Sequence, residues 1–216
     1  MLMKRIVQGE YHMDIQTHEM PAVNMEEMSV RERIIAATLG LIEKEGVHGL
    51  TTRTIAREAN VNIAAINYYF SSKQKLIEET LQAALNHMFS DTDEFFAQMG
   101  NSGEGILRNM MMYMLQGAVR YPGLIKAMLN GPINNNDYSD PVVQRILKFT
   151  NDLISKAEQV MQQDRAAVSE RLMQIFSVAL MTALLPDMFK MVLGEDFAVN
   201  IDKQKEYIQK FFDPAL

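Results

Sequence analysis

From Val30 onward, apolar residues recur at three- and four-residue spacing, the period of an amphipathic helix. Ile34, Ala37, Thr38, Leu41 and Ile42 form one such stripe, and Gly46 supplies the left-handed residue that closes a helix of this kind. A second short helix fits Thr52 to Glu58, with Thr51 or Thr52 as its N-cap and Ile55, Ala56 and Ala59 facing inward. Asn60-Val61-Asn62 reads as a tight turn, because asparagine accepts positive φ better than most residues that carry a side chain. A third short helix covers Ile63 to Phe70. Ser71 with Gln74 makes an S-x-x-Q capping box, opening a fourth helix from about Ser72 to Phe89. Nothing here reads as a strand.

Beyond Asp91 the helical period continues in longer segments. Ile106 to Arg120 is rich in methionine (Met110, Met111, Met112, Met114) and stops at Tyr121-Pro122-Gly123. Gly131 to Asp137 reads as the clearest loop. Two amphipathic helices follow, one striped from Val142 to Met161 and one from Val168 to Leu185, with Pro186 ending or kinking the second. A last helix spans roughly Lys203 to Phe212. The pattern predicts an all-α chain of about nine helices with no internal repeat. Residues 1–28, with five acidic residues, two histidines and no sustained period, read as a flexible arm.

Composition narrows the class. The 216 residues are 48% hydrophobic and 22% charged, the proportions of a soluble globular chain, long enough to bury a core without a metal or disulfide staple. The absence of cysteine excludes disulfide frameworks, zinc ribbons, iron–sulfur clusters and thiol nucleophiles. No run approaches the ~20 apolar residues of a membrane span, and the amino terminus lacks the apolar core of a secretion signal. The expectation is a cytoplasmic protein with no membrane partner. No phosphate-binding glycine loop, dinucleotide fingerprint or nucleophile elbow is present. His12, His18, His48 and His87 show no metal-ligand spacing, so no catalytic residue, metal or cofactor is expected.

The net charge of −6 is unevenly distributed. Between Thr51 and Lys75, Arg53, Arg57, Lys73 and Lys75 face Glu58 alone, a local balance of +3, whereas from Asp91 to the end there are 12 bases against 16 acids. A small basic face on an acidic body suits contact with nucleic acid at one spot, although ordinary scatter of surface charge gives the same picture. Thr51 to Phe70 has the dimensions of a helix-turn-helix, whose second helix lies in the major groove while the first braces it.

Several spaced positions agree with one family at once. They are Glu45-Gly46-Val47, Thr51-Thr52 with Ile55-Ala56, Ala59 before the turn ending at Val61, then Ile66, Tyr68-Tyr69-Phe70, and Ser72-Lys73 leading to Leu76. Over about 60 residues, Ser29 to Met88, the chain resembles the amino-terminal domain of TetR-family transcriptional regulators. Asn60 departs from the family's usual glycine; the rest of the chain matches only in general form. The resemblance implies a three-helix DNA-binding domain over 29–88 and a larger helical ligand-binding and dimerisation domain over 89–216.

It also implies roles. Tyr68 and Tyr69 fall at the aromatic pair that touches the DNA backbone, and Lys73 at the lysine that opens the fourth helix, a natural phosphate site. Thr52 and Arg53 fall at phosphate contacts, with Thr52 alternatively a cap and Tyr68 alternatively a core residue. The groove-facing positions are Asn62, Ile63, Ala64, Ala65 and Asn67. Lacking arginine and lysine, they favour A·T pairs, since asparagine bridges adenine while alanine and isoleucine pack on thymine methyls.

A homodimer on a palindromic double-stranded operator is implied, with the stripes at 142–161 and 168–185 as its four-helix bundle or, alternatively, as burial within one subunit. A pocket for a small hydrophobic effector is implied too. Phe89, Phe95, Phe96, Met99, Met110, Tyr113, Met114, Met173 and Phe176 are its candidate lining, or else plain core. The expected function is a ligand-responsive regulator, a repressor; the alternative is a helical ligand-binding or interaction module without sequence-specific DNA binding.

Overall fold

Ser29 begins the first helix by exchanging bonds with Glu32: the serine hydroxyl accepts the Glu32 amide at 3.3 Å, and the Glu32 carboxylate accepts the Ser29 amide at 2.8 Å. In the computed structural model, which describes residues 28–88, 103–194 and 196–213, this helix is α1, Val30–Glu45. Of the arm expected over 1–28, all but Met28 lies outside the described residues. Gly46 closes α1 at φ 72°, its amide bonded to the Ile42 carbonyl. The chain continues through α2 (Thr52–Glu58), α3 (Ile63–Phe70) and α4 (Lys73–Met88), and then α5 (Gly103–Arg120), α6 (Pro122–Met128) and α7 (Asn130–Asn135). Last come α8 (Pro141–Met161), α9 (Arg165–Leu184), α10 (Pro186–Leu193) and α11 (Ile201–Phe212). The described residues contain eleven helices and no strand, an all-α chain as expected with a higher helix count.

Two of the additional helices, α6 and α10, have a common origin. Pro122, Pro141 and Pro186 each occupy the first position of a helix, where the missing amide is no loss and the fixed φ is already helical. Pro122 and Pro186 therefore end one helix and at once begin another, where the sequence pattern gave only a stop. The stretch expected as a loop, Gly131 to Asp137, is largely α7, closed by Asn136 in the left-handed region at φ 51°. Its successor is capped by Asp140, whose carboxylate accepts the Val142 amide at 2.8 Å.

The described residues form two compact units, one holding residues up to 88 together with 126–147, the other 103–125 with 148–213. In the first, α1 and α4 pack along each other and carry α2 and α3. Its core is built from Ile34, Ile42, Leu50, Ile55, Ile66, Phe70, Leu76 and Leu85, each fully buried and contributing on the order of 1.5–3 kcal/mol. Arg145 near the start of α8 bonds Asn86 on α4 at 3.1 Å.

In the second unit α5 packs along both α9 and α11. Ala118, Ala179 and Ala183 form a small-residue seam between α5 and α9, flanked by Met114 and Ile125. Arg171 lies over the rings of Phe211 and Phe212, and Arg108 over Phe212, at 4.8–5.3 Å. Arg165 reaches back to Asn151, Ser155 and Glu158 on α8. By length and composition α9 could cross a membrane, which no segment was expected to do. Arg165, Glu170 and Arg171 in its first turns, and six buried residues along its length, make it a packed helix of this unit.

Asn60 sits at φ 51°, as the turn requires. Asn60→Gly should leave stability nearly unchanged, whereas Asn60→Val should lose about 1–2 kcal/mol, measured by denaturant unfolding.

Candidate nucleic-acid interface

Helix α2 begins at a reciprocal threonine box: the Thr51 hydroxyl accepts the Thr54 amide, and the Thr54 hydroxyl accepts the Thr51 amide, both at 3.0 Å. Thr51 is thus the cap. Thr52, half-buried at the first helical position, is relieved of that duty, and Arg53 beside it is exposed. Ile55, Ala56 and Ala59 turn inward, as the stripe predicts.

Asn60 then reverses the chain, and Asn62 caps α3 by accepting the Ala64 amide on Oδ1 at 2.9 Å. This engages the oxygen that a bidentate adenine contact needs, leaving Asn67 as the asparagine with its whole amide presented. Ile66 and Phe70 are the buried residues of α3. Ile63, Ala64, Asn67, Tyr68 and Tyr69 are exposed, and Ala65 is half-buried at the flank. Tyr68 is 82% exposed, so it is no core residue; Tyr69 at 40% meets it edge-on, ring centroids 5.0 Å apart.

Ser71 leaves α3 at φ 47°, its neighbour Ser72 donating its amide to the Phe70 carbonyl. Ser72 then caps α4, its hydroxyl accepting the Lys75 amide at 3.1 Å. The cap expected from the Ser71–Gln74 box therefore falls one residue later, as a single serine cap at Ser72, because Ser71 is occupied in the reversal. Lys73 is an exposed residue whose Nζ folds back and donates to the Leu50 carbonyl at 2.9 Å.

Two arginines that no local pattern announced support the same surface. Arg33 on α1 donates to the Asn60 carbonyl at 3.4 Å. Arg31 pairs with Glu79 at 2.6 Å and lies 5.2 Å over the Phe70 ring. Their partners are 27 and 48 residues away in the chain, beyond any sequence period.

Of the candidate effector-pocket residues, Phe89, Phe95, Phe96 and Met99 lie outside the described residues. Met110 is fully buried in α5, and Met114 packs on the alanine seam. Met173 is half exposed on α9, with Phe176 partly buried one turn later. Tyr113 keeps some surface, but burial of its phenol pushes the pKa up to about 12. No group of three or more metal-ligating side chains occurs among the described residues.

Residues 34–80 match the family model for bacterial regulatory proteins of the tetR family. A transcriptional regulator of helix-turn-helix type, BetI from Vibrio vulnificus, is 36% identical over 72 residues, which are 33% of this chain and 36% of that protein. BetI from Burkholderia cenocepacia is likewise 36% identical over 73 residues, 34% of this chain and 37% of its own. The chain thus spans little more than a third of the length of these curated relatives. Two solved structures share the fold: a TetR transcription regulator from Haloarcula marismortui (TM-score 0.60, 19% identity, 87% of this chain and 97% of that one), and a TetR-family regulator from Streptomyces coelicolor (TM-score 0.59, 20% identity, 85% and 96%).

The Tyr113 shift has a definite sign. In the unfolded chain the phenol ionises near 10, before the folded one does, so stability is complete below that pH and falls as pH rises toward 12. At pH 11 the wild type should lose about 1 kcal/mol more, relative to pH 8, than Tyr113→Phe, read by urea denaturation at the two pH values.

Proposed function

We propose that this chain, whose residues 34–80 match the tetR family model, is a ligand-responsive, DNA-binding transcriptional repressor acting as a homodimer on a palindromic operator. Residues 29–88 read the DNA; the chain from 89 onward holds the effector and the dimer contacts. The observation that carries the reading is α3 itself. A helix of eight residues, anchored inward by Ile66 and Phe70, leaves Ile63, Ala64, Asn67, Tyr68 and Tyr69 facing solvent. Such a row of apolar and amide groups has no role in a core and fits the floor of a major groove.

Asn67 bridges an adenine, Ile63 and Ala64 lie against thymine methyls, and Tyr68 and Tyr69 with Arg53 and Thr52 hold the backbone. The half-site is therefore read largely at A·T pairs. Selection of bound duplexes from a random pool should yield a two-fold symmetric site, with log affinity falling steeply against log salt. Asn67→Ala should lose base preference at one position, costing about 1–3 kcal/mol there, while affinity for random duplex is retained. Equal loss on every sequence would remove Asn67 from base reading, and a pool with no enriched site would favour the ligand-binding module instead.

Most of the two long stripes are buried within the chain. Val142, Val143, Phe149, Leu153, Ile154 and Ala157 on α8 are buried, as are Val168, Leu172, Ile175, Ala179 and Ala183 on α9. A different apolar row remains outside: Met173, Met181 two turns later and Leu185 one turn beyond that, continuing into Met188, Met191 and Val192 of α10. We assign the subunit contact to this row. Met181→Lys should convert dimer to monomer in sedimentation while leaving helical content unchanged; a variant that stays dimeric moves the contact elsewhere. A small hydrophobic effector releases the operator if it binds the DNA-incompetent state more tightly, a coupling typically worth about 1–3 kcal/mol.

A further inference from the structure

Lys73 stands at the first position of α4, where the family resemblance implies a contact with phosphate. Its side chain instead folds back. Nζ donates to the carbonyl of Leu50, 2.9 Å away and 23 residues earlier in the chain, at a part-buried position. Leu50 is almost wholly buried and immediately precedes Thr51, the residue whose hydroxyl starts α2.

The bond therefore fastens the joint before α2 to the start of α4. It belongs to a set. Each non-helical joint of the α2–α3 pair is held by a cation from a longer helix: Lys73 at the joint before α2, Arg33 on the Asn60 carbonyl at the turn, and Arg31 over Phe70 where α3 ends. A charge-assisted bond to a carbonyl is stronger than its neutral counterpart and sets distance and direction together. The two short helices are thereby located at their beginning, middle and end.

We propose that Lys73 is a positioning residue that sets where α3 sits, and that it is not a phosphate ligand. The proposal rests on the DNA-reading role of α3 and names a different part for one of its neighbours. Phosphate contact and bracing make opposite predictions about salt. A lysine that neutralises a phosphate contributes about 0.9 to the slope of log affinity against log salt, on operator and random duplex alike. A lysine that bonds Leu50 contributes nothing to that slope, and its loss is felt where α3 must fit a particular sequence.

The test compares the full-length wild type with Lys73→Met on the selected operator and on random duplex across a salt series, and follows amide exchange in both proteins without DNA. The expected result is a roughly ten-fold loss of operator affinity, random-duplex affinity within about two-fold, and an unchanged salt slope. In the DNA-free variant the amides of Thr54, Ile55 and Ala56 should exchange roughly ten-fold faster. A slope reduced by about 0.9 with both duplexes weakened equally would overturn the proposal, as would a variant indistinguishable from wild type in affinity and exchange. Should Lys73→Met fail to fold, nitrogen-15 spectra of the DNA-free wild type decide: a slowly exchanging Lys73 ammonium supports the brace, and a rapidly exchanging one overturns it. If the wild type binds no operator, the regulator reading fails, while the exchange and ammonium measurements still report on the bond to Leu50.

Discussion

Helices of seven and eight residues do not persist in water alone; about 12–15 residues are needed even for favourable sequences. That limit governs the first unit. To have one face bare, α3 must be held by its other face, by its ends and by its neighbours. Ile66 and Phe70 supply the buried face, Asn60 and Ser71 supply left-handed reversals before and after it, and the long helices α1 and α4 supply the walls. The cations Arg31, Arg33 and Lys73 then fix the joints, at backbone carbonyls and at the Phe70 ring. Take away this framework and the outward row of side chains has no defined geometry to offer a groove.

Much of this was legible because it is local. The stripe of α1, the closing Gly46, the inward Ile55 and Ala56 and the tolerance of Asn60 for positive φ follow from spacing and from single-residue conformational preference. What escaped was either ambiguous or distant. A proline marks the stop of one helix and the start of the next equally well, so Pro122 and Pro186 concealed two helices. Two adjacent serines offer two registers for a cap, and only the reversal at Ser71 selects Ser72. Asn62 suits both a base edge and a helix cap by side-chain chemistry, and the Ala64 amide claims it. The arginine braces join residues dozens of positions apart, which no periodicity can encode.

In the second unit the difficulty lies in α9, which is apolar on more than one side. Val168, Leu172, Ile175 and Ala179 face inward, while Met173 and Met181 face outward from the same helix. A stripe drawn from hydropathy alone cannot separate the two rows, because burial within a chain and burial between chains select the same residue types. Methionine adds to the ambiguity: unbranched and polarizable, it fills a core at Met110 and lies on a surface at Met173. The candidate pocket was the least legible part for this reason, since a methionine period looks the same whether it faces a cavity or another helix.

The separation of duties within α3 bears on how such a protein changes over generations. Its structural work falls to Ile66, Phe70 and the capping oxygen of Asn62, and the exposed Ile63, Ala64 and Asn67 add little to the core. Substitutions at those three positions alter what the helix meets without disturbing how it is held. A duplicated copy can therefore change these outward side chains while the residues that hold the helix stay as they are. Eight residues of helix become an exchangeable part on a fixed mount, and a change in what they meet demands only a few outward side chains.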